Sequence, residues 1–578
     1  MNTLLEQASL VMIPSGYKED VVYSQIPTNG SGDLSFNRAS NGTRVNSAGL
    51  VEVCPWNLAQ YSENFSANFS AINSSISNNT TTAPNGTTTA DSLIENTATD
   101  NHFIFADYTQ QSGTQYTYSV YAKSIGGRNI RISGSSGYGG AIIVDLSNGS
   151  ILSGSGVVEN VGNGWYRISI TATTTTSTVR VIIYAANGTS LSYTGNGTSG
   201  VYLWGAQLNI GSTAKPYFPT TDRLNVPRLT YQNGGGGCPS LLLEKQSTNL
   251  AQYSEQFDNA YWSKTNATIS ANNTTSPDGT QNADLIIADT TNGVHQFRTT
   301  ISSVTAQNYT MSIFAKKSGI NFIRFWEDGQ TGKQCYFNLN TGVATNVDMT
   351  SVSIENIGNG WYRCIAVVPI PASGVFGFRV LVSQDGSATA YAGNGTDGVF
   401  IWGAQLEASS YPTSYIPTTS ASATRVADVA QKTGISSLIG QTEGTVYFEL
   451  QRNNTDNDTR LQISDGTTSN WLFVSIETGL NPRAYCNVGG VNQFSAYGSA
   501  VSNSTHKVAF AYKNNDFKVY IDGVASITQT SGSVPACTQL DVGSGSPSGS
   551  VLSTSLIKEV VLFKTRLTNA ELASLTTI

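Results

Sequence analysis

Asn163-Gly164-Trp165-Tyr166-Arg167 and Asn359-Gly360-Trp361-Tyr362-Arg363 are one stretch written twice, 196 residues apart (165 to 361). A repeat at that spacing marks a duplicated domain. Asn-Gly supplies the positive φ of a tight hairpin turn, and Trp-Tyr-Arg then opens an extended run. In the first copy the run continues to Ile170 with residues alternating between two faces, as in a strand. Other segments align around this pair. Asn57-Leu58-Ala59-Gln60-Tyr61-Ser62-Glu63 matches the stretch from Asn249 to Glu255, and His102 matches His295. Tyr118 to Lys123 matches Met311 to Lys316, and Trp204-Gly205-Ala206-Gln207-Leu208 matches the stretch from Trp402 to Leu406. Short strands at ~10-residue spacing, with Gly and Asn turns, predict a two-sheet antiparallel sandwich in each copy, of jelly-roll type.

Composition points the same way. Charged residues make up 12 % of the chain, about half the usual share, so Ser, Thr, Asn and Gly must build the polar surface. That mix suits strands and turns and argues against helix bundles. The net charge of −7 is scattered, with no basic patch for nucleic acid or an anionic membrane. No stretch approaches the roughly 20 apolar residues of a membrane span. The N-terminal apolar run is broken by Glu6 and Gln7 and lacks a basic lead, so it does not read as a signal peptide. None of the six cysteines shows zinc spacing. Cys335 and Cys364 stand opposite Ile142 and Ile168 of the other copy. They read as buried core thiols or, alternatively, as a disulfide.

The expected architecture is all-β: two jelly rolls and a third sandwich, with a small split β-domain and an N-terminal arm. Residues 1–29 form the arm, around Leu10-Val11-Met12-Ile13, either an attachment peptide or an edge strand of the next domain. Residues 30–54 and 223–248 form the split domain, because the strand partners missing after Glu52 appear at Val226 to Tyr231 and at Ser240 to Glu244. The first repeat, 55–222, is inserted into it, and the second spans 249–428. Residues 429–578 form the last sandwich, with alternation over Thr445 to Leu450 and Phe517 to Gly523. A capping box at Thr568-Asn569-Ala570-Glu571 opens the one convincing helix.

A search for catalysis returns little. There are three histidines, and no nucleophile elbow, phosphate loop or His-Glu-x-x-His. Glu327 and Asp328 are adjacent in a strand and so point to opposite faces, unlike a glycosidase pair. The expectation is a binding protein and not an enzyme. The four tryptophans shared by the copies, Trp165, Trp204, Trp361 and Trp402, are expected to fill the sandwich cores. Unshared aromatics are the better ligand candidates: Trp326 and Tyr336 stand opposite Ser133 and Ile143. An aromatic face can stack on a pyranose ring while Arg324 and Gln334 bond its hydroxyls; core or packing roles for Trp326 and Tyr336 are the alternative. His295 is a further candidate, against its alternative as a strand histidine satisfied by a neighbour. Trp471 is one in the last sandwich. Calcium suits jelly-roll loops, and Asp222 and Glu407 near the module ends are candidate ligands for it.

The repeats, with Asn-Leu-x-x-Tyr-Ser-Glu, the Gly-Asn-Gly-Trp-Tyr-Arg turn and Trp-Gly-Ala-Gln-Leu, look like the carbohydrate-binding-module-like jelly rolls of bacteriophage fibre and other virion proteins. The split segment resembles a piece that precedes such modules in phage structural proteins, although the inserted first module departs from the linear order. Gly444 to Leu572 is similar to concanavalin A-like, laminin-G-like lectin domains. The resemblance implies a head or tail fibre or appendage, assembled in the host cytoplasm. Its arm would dock on other virion proteins, and its sandwiches would face host polysaccharide. It implies a trimer, although no heptad supports a coiled-coil stalk. A secreted bacterial carbohydrate-binding protein or adhesin is the alternative, and a polysaccharide depolymerase a more distant one.

Overall fold

Both Asn-Gly turns adopt the conformation their sequence calls for. Asn163 and Gly164 have φ of 53° and 76°, and Asn359 and Gly360 have 51° and 79°. In the computed structural model, which describes residues 4–578 apart from 110–112, 136, 177, 387–389, 453–458, 548 and 550–553, the protein is all-β and built of antiparallel sandwiches. The chain divides into two compact units. One comprises Pro55–Arg223 with Thr280–Asn282; the other comprises Met1–Cys54, Leu224–Gly279 and Ala283–Ile578.

In the first unit, a sheet with Thr99–Thr109, Thr178–Ala186, Asn129–Ser135 and Ala141–Asp145 at its centre packs on a sheet centred on Trp165–Thr173, Gln115–Ile125 and Gly200–Ile210. Inward residues such as Tyr118, Val120, Ile132, Ile168 and Ile183 make the core. The second repeat has the same plan. Gln296–Val304, Gly374–Ser383, Phe322–Glu327 and Gln334–Asn338 form one layer, and Gln307–Ser318, Trp361–Ile370 and Gly398–Glu407 lie in the other. Cys335 and Cys364 are free thiols in this core, where copy one has isoleucines. Burial pushes both thiols well above their usual pKa. Only Cys238 is exposed, so titration with a thiol reagent is expected to count one reactive cysteine in the native protein and six after denaturation.

The four shared tryptophans lie outside the inter-sheet cores. Alternation puts Tyr166 and Ile168 inward, so Trp165 faces the other side of its sheet. There Trp165 and Trp204 pack with Ala83 and Ala90, and Trp361 and Trp402 with Phe314, Ile357 and Val51. A tyrosine from the segment after the last strand covers each cluster: Tyr217 lies 4.6 Å from Trp204 and Tyr415 lies 4.7 Å from Trp402.

The arm and the split segment do not stand alone. Leu10–Met12 pairs with Ser555–Phe563, and Arg228–Thr230 and Ser240–Leu243 extend the same sheet of the last sandwich. Tyr17–Lys18, Val21–Val22 and Leu34–Asn37 extend its other sheet through Val429–Lys432. Leu10, Met12, Leu34, Leu229, Leu241 and Leu243 share one core with Phe448, Val508 and Leu540. Segments this short bury too little apolar surface to fold alone; these complete a neighbouring sandwich, while Gly42–Val45 and Val51–Cys54 of the split segment pair with each other in a separate two-stranded sheet. The segment joins the end of the second repeat through buried charges. Arg228 bonds Glu244 at 2.6 Å, Asp428 at 2.7 Å and Ser414 at 2.8 Å. Arg38 reaches Asp428 at 3.3 Å and Arg425 reaches Glu244 at 3.0 Å.

Candidate functional site

In Phe322–Glu327, Ile323 and Phe325 point into the core, which turns Phe322, Arg324 and Trp326 outward. In the neighbouring Gln334–Asn338, Cys335 and Phe337 are inward and Gln334, Tyr336 and Asn338 outward. Register places Arg324 opposite Tyr336 and Trp326 opposite Gln334. Four predicted residues, Trp326, Tyr336, Arg324 and Gln334, thus share one sheet face. Arg324 Nη2 donates to Gln334 Oε1 at 2.6 Å. Tyr336 meets Phe322 edge-on at 6.4 Å. Gly386 lies against that pair; a Cβ there would come within 2.7 Å of Phe322.

Two arginines that sequence reading missed complete the face. Arg379 stands opposite both Trp326 and Arg298. Its guanidinium lies 4.5 Å from the Trp326 ring centroid, with that of Arg324 at 6.0 Å. Arg379 also donates to Gln296 Oε1. Asp328 Oδ2 lies 3.3 Å from Arg298 and 3.5 Å from Arg379. Burial draws the pKa of Arg324 and of Arg379 down, against the attraction of nearby groups such as Asp328 for Arg379. The alternation Gln296-x-Arg298 was a signal in the sequence, but the pairing that brings it to Trp326 was not. The first repeat carries a corresponding face of Phe103, Phe105, Tyr184, Arg131 and Arg180. Phe103 and Tyr184 are 5.0 Å apart, and Arg180 is stacked on Phe105 at 4.1 Å.

The other predicted residues lie elsewhere. His295 is fully buried, its ring nitrogens against the carbonyls of Asn266 at 2.5 Å and Tyr391 at 2.9 Å. It ties strand to loops and offers nothing to a ligand; His102 repeats the arrangement. Trp471 lies on the last sandwich and is nearly covered, packed on Phe473 at 5.0 Å and Tyr485 at 5.4 Å. The neighbouring Tyr497 is 58 % exposed and lies under Arg483. Glu407 is buried and turned to protein donors. Its buried carboxylate already accepts from Ser247, Gln405 and the main chain and hydroxyl of Thr413. Asp222 is half-buried, and its main-chain carbonyl accepts from Gln60 at 3.3 Å. Among the described residues no group of three or more His, Cys, Asp or Glu is placed to hold a metal. Glu327 accepts the N–H groups of Gly329, Gln330, Thr331 and Gly377 and so organises a turn, whereas Asp328 faces the arginines.

With the geometry in place, comparison with known proteins adds one assignment. Residues 424–573 match the concanavalin A-like lectin/glucanases superfamily. No curated protein matches the chain. Among solved structures, the chain is similar to the tandem CBM22-1–CBM22-2 modules of Paenibacillus barcinonensis Xyn10C, at 10 % identity and TM-score 0.20 over 64 % of this chain and 99 % of that one. It is also similar to the CBM40 module of Ruminococcus gnavus IT-sialidase bound to α2,3-sialyllactose, at 15 % identity and TM-score 0.22 over 24 % and 84 %. Mouse laminin α1 domains LG4-5 match at 11 % identity and TM-score 0.17 over 45 % and 85 %. These likenesses concern the fold alone.

Proposed function

We propose that the protein binds glycans on the outward faces of its sandwiches and carries out no reaction there. The observation that supports this reading is the second-repeat face. It combines a half-exposed indole, a half-exposed phenol and polar side chains held in fixed positions on a rigid sheet. Apolar ring faces suit the C–H side of a pyranose, and guanidinium and amide groups suit its hydroxyls. The lectin-like match of the last sandwich supports the same reading. Screening the full chain on a glycan array tests it. At least one glycan should be retained, and Trp326→Ala should weaken retention about tenfold or more, the loss typical of an aromatic anchor, with the unfolding midpoint unchanged. Retention unaffected by that substitution would remove the face from the account.

The repeat motifs support a phage virion as the setting, with the sandwiches outward on a head or tail fibre. Mass spectrometry of purified particles should then find the chain among the structural proteins. Its presence only in host culture medium would favour the secreted adhesin instead.

A further inference from the structure

The two repeats share one scaffold, so one serves as a control for what the fold requires of the other. Strand pairing equates Trp326 with Ser133, Arg379 with Ile182, Arg298 with Phe105 and Gln334 with Ala141. The sheet therefore forms with small, aliphatic or aromatic residues at these positions, and folding does not explain two arginines and a tryptophan there. Arg324 and Arg131 are equivalent. Arg131 lies over Tyr184 at 5.5 Å, as Arg324 lies over Trp326.

The charges on the second face are unbalanced. In the first repeat two arginines, Arg131 and Arg180, share the face with Asp107, which Arg180 holds through two bonds of 2.7 Å. In the second repeat three arginines, Arg298, Arg324 and Arg379, share the face with Asp328, which lies 3.3 Å from Arg298 and 3.5 Å from Arg379, while Arg324 donates to Gln334. The flanking turns add Lys333, Asp348 and Asp385. Lys333 bonds the main-chain oxygen of Asp348, whose carboxylate takes the Gln334 N–H. Arg298, Arg324, Lys333 and Arg379 thus outnumber Asp328, Asp348 and Asp385 on a protein whose net charge is −7. A positive, aromatic face on an acidic molecule selects ligands that bring negative charge. Planar guanidinium groups suit the paired oxygens of a carboxylate or sulfate.

We propose that the second-repeat face takes saccharides bearing a carboxylate or sulfate group, the sugar ring against Trp326 and the anionic group at Arg298 and Arg379. This rests on the glycan-binding reading and narrows its ligand class. Arg298 is 38 % exposed at its side chain, so it can meet a ligand without disturbing the core.

Affinity electrophoresis of the full chain in gels containing polygalacturonate, dextran sulfate or neutral dextran tests the assignment. Retardation is expected with an anionic polymer and not with dextran. It should weaken about tenfold in Arg298→Gln and in Trp326→Ala, consistent with losing one charge-assisted bond or one anchor, and stay unchanged in Arg180→Gln on the first repeat. Retardation by polygalacturonate alone would name the carboxylate as the group recognised, and by dextran sulfate alone the sulfate. Equal retardation of Arg298→Gln and wild type would overturn the proposal, as would equal losses in Arg180→Gln. A neutral glycan lost in Trp326→Ala but held by Arg298→Gln would overturn it while leaving the glycan reading standing. If the chain held no glycan on the gels or on the array, both would fall. Matching unfolding midpoints establish that each variant is folded.

Discussion

A chain beginning at residue 30 is expected to fail to give a soluble, folded last sandwich. Leu10, Met12 and Val22 are fully buried and Val11 is 3 % exposed. Leu10 stands opposite Leu562, Val11 opposite Val561 and Met12 opposite Val560. Val11 also exchanges main-chain bonds with Gln25 and Ile26, and Ser9 donates to Leu438 O at 2.5 Å. Burying a side chain of this size is worth roughly 1.5–3 kcal/mol, so four of them amount to roughly 6–12 kcal/mol. That is comparable to the entire stability of an ordinary domain, about 5–15 kcal/mol. The deletion would also uncover an edge of Ser555–Phe563, an invitation to aggregate. Circular dichroism and resistance to chymotrypsin provide the check. A truncated protein with the wild-type unfolding midpoint would return these residues to the role of a detachable arm. The milder Leu10→Ala should lower stability by about 2–5 kcal/mol, as leucine truncations in cores do.

Much of the fold was legible because its signals are local. Asn-Gly turns, two-residue alternation and the 196-residue repeat (165 to 361) each report on a few neighbouring residues, and together they imply paired antiparallel layers. What stayed hidden depends on partners distant in sequence. Leu10–Met12 reads as a short apolar strand, but only its pairing with residues 560–562 shows whose strand it is. The shared tryptophans mislead for a related reason. Trp165 begins its strand on the face opposite to Tyr166, where it is buried in a cluster with Trp204, and Tyr217 of the return segment packs on Trp204. A large buried aromatic therefore need not lie between the sheets. At the candidate site, Trp326, Arg324, Tyr336 and Gln334 fall on adjacent strands within a short hairpin and could be grouped by alternation. Arg298 precedes Arg324 by 26 residues (298 to 324) and Arg379 follows Trp326 by 53 (326 to 379), and only sheet order unites them. Glu407 reads in the sequence as an acidic residue at a module end, and of the donors that surround its carboxylate, Ser247, Gln405 and Thr413, Ser247 comes from an element the sequence does not place beside it.

Arg228→Met is expected to destabilise the unit that holds the second repeat and the last sandwich by about 3–5 kcal/mol, the range for removing one partner from a buried ionic cluster. Arg228 is wholly buried and is bonded to Glu244, Asp428, Ser414 and the main-chain oxygen of Thr43. Without it, Glu244 and Asp428 keep only Arg425 and Arg38 as buried counter-charges. The same cluster sets a pH dependence. Burial alone would raise the pKa of Glu244, but Arg425, Arg228 and the donors of Ser414 outweigh it and hold the carboxyl at about 2, against 4.5 for a free glutamate. Because the folded value is the lower one, the stabilisation is complete above pH 4.5 and is lost as pH falls towards 2. The span corresponds to about 3 kcal/mol. Urea unfolding followed by tryptophan fluorescence at pH 7, 4 and 3 should therefore show wild type losing stability across the acid window. Arg228→Met, in which one of the two arginines holding Glu244 is gone, should start lower and fall less. Parallel curves for the two proteins would mean that Arg228 does not set the Glu244 carboxyl. That charge would then be held by Arg425 and Ser414, and the lost bond from Arg228 to Asp428 would account for the difference in stability at neutral pH.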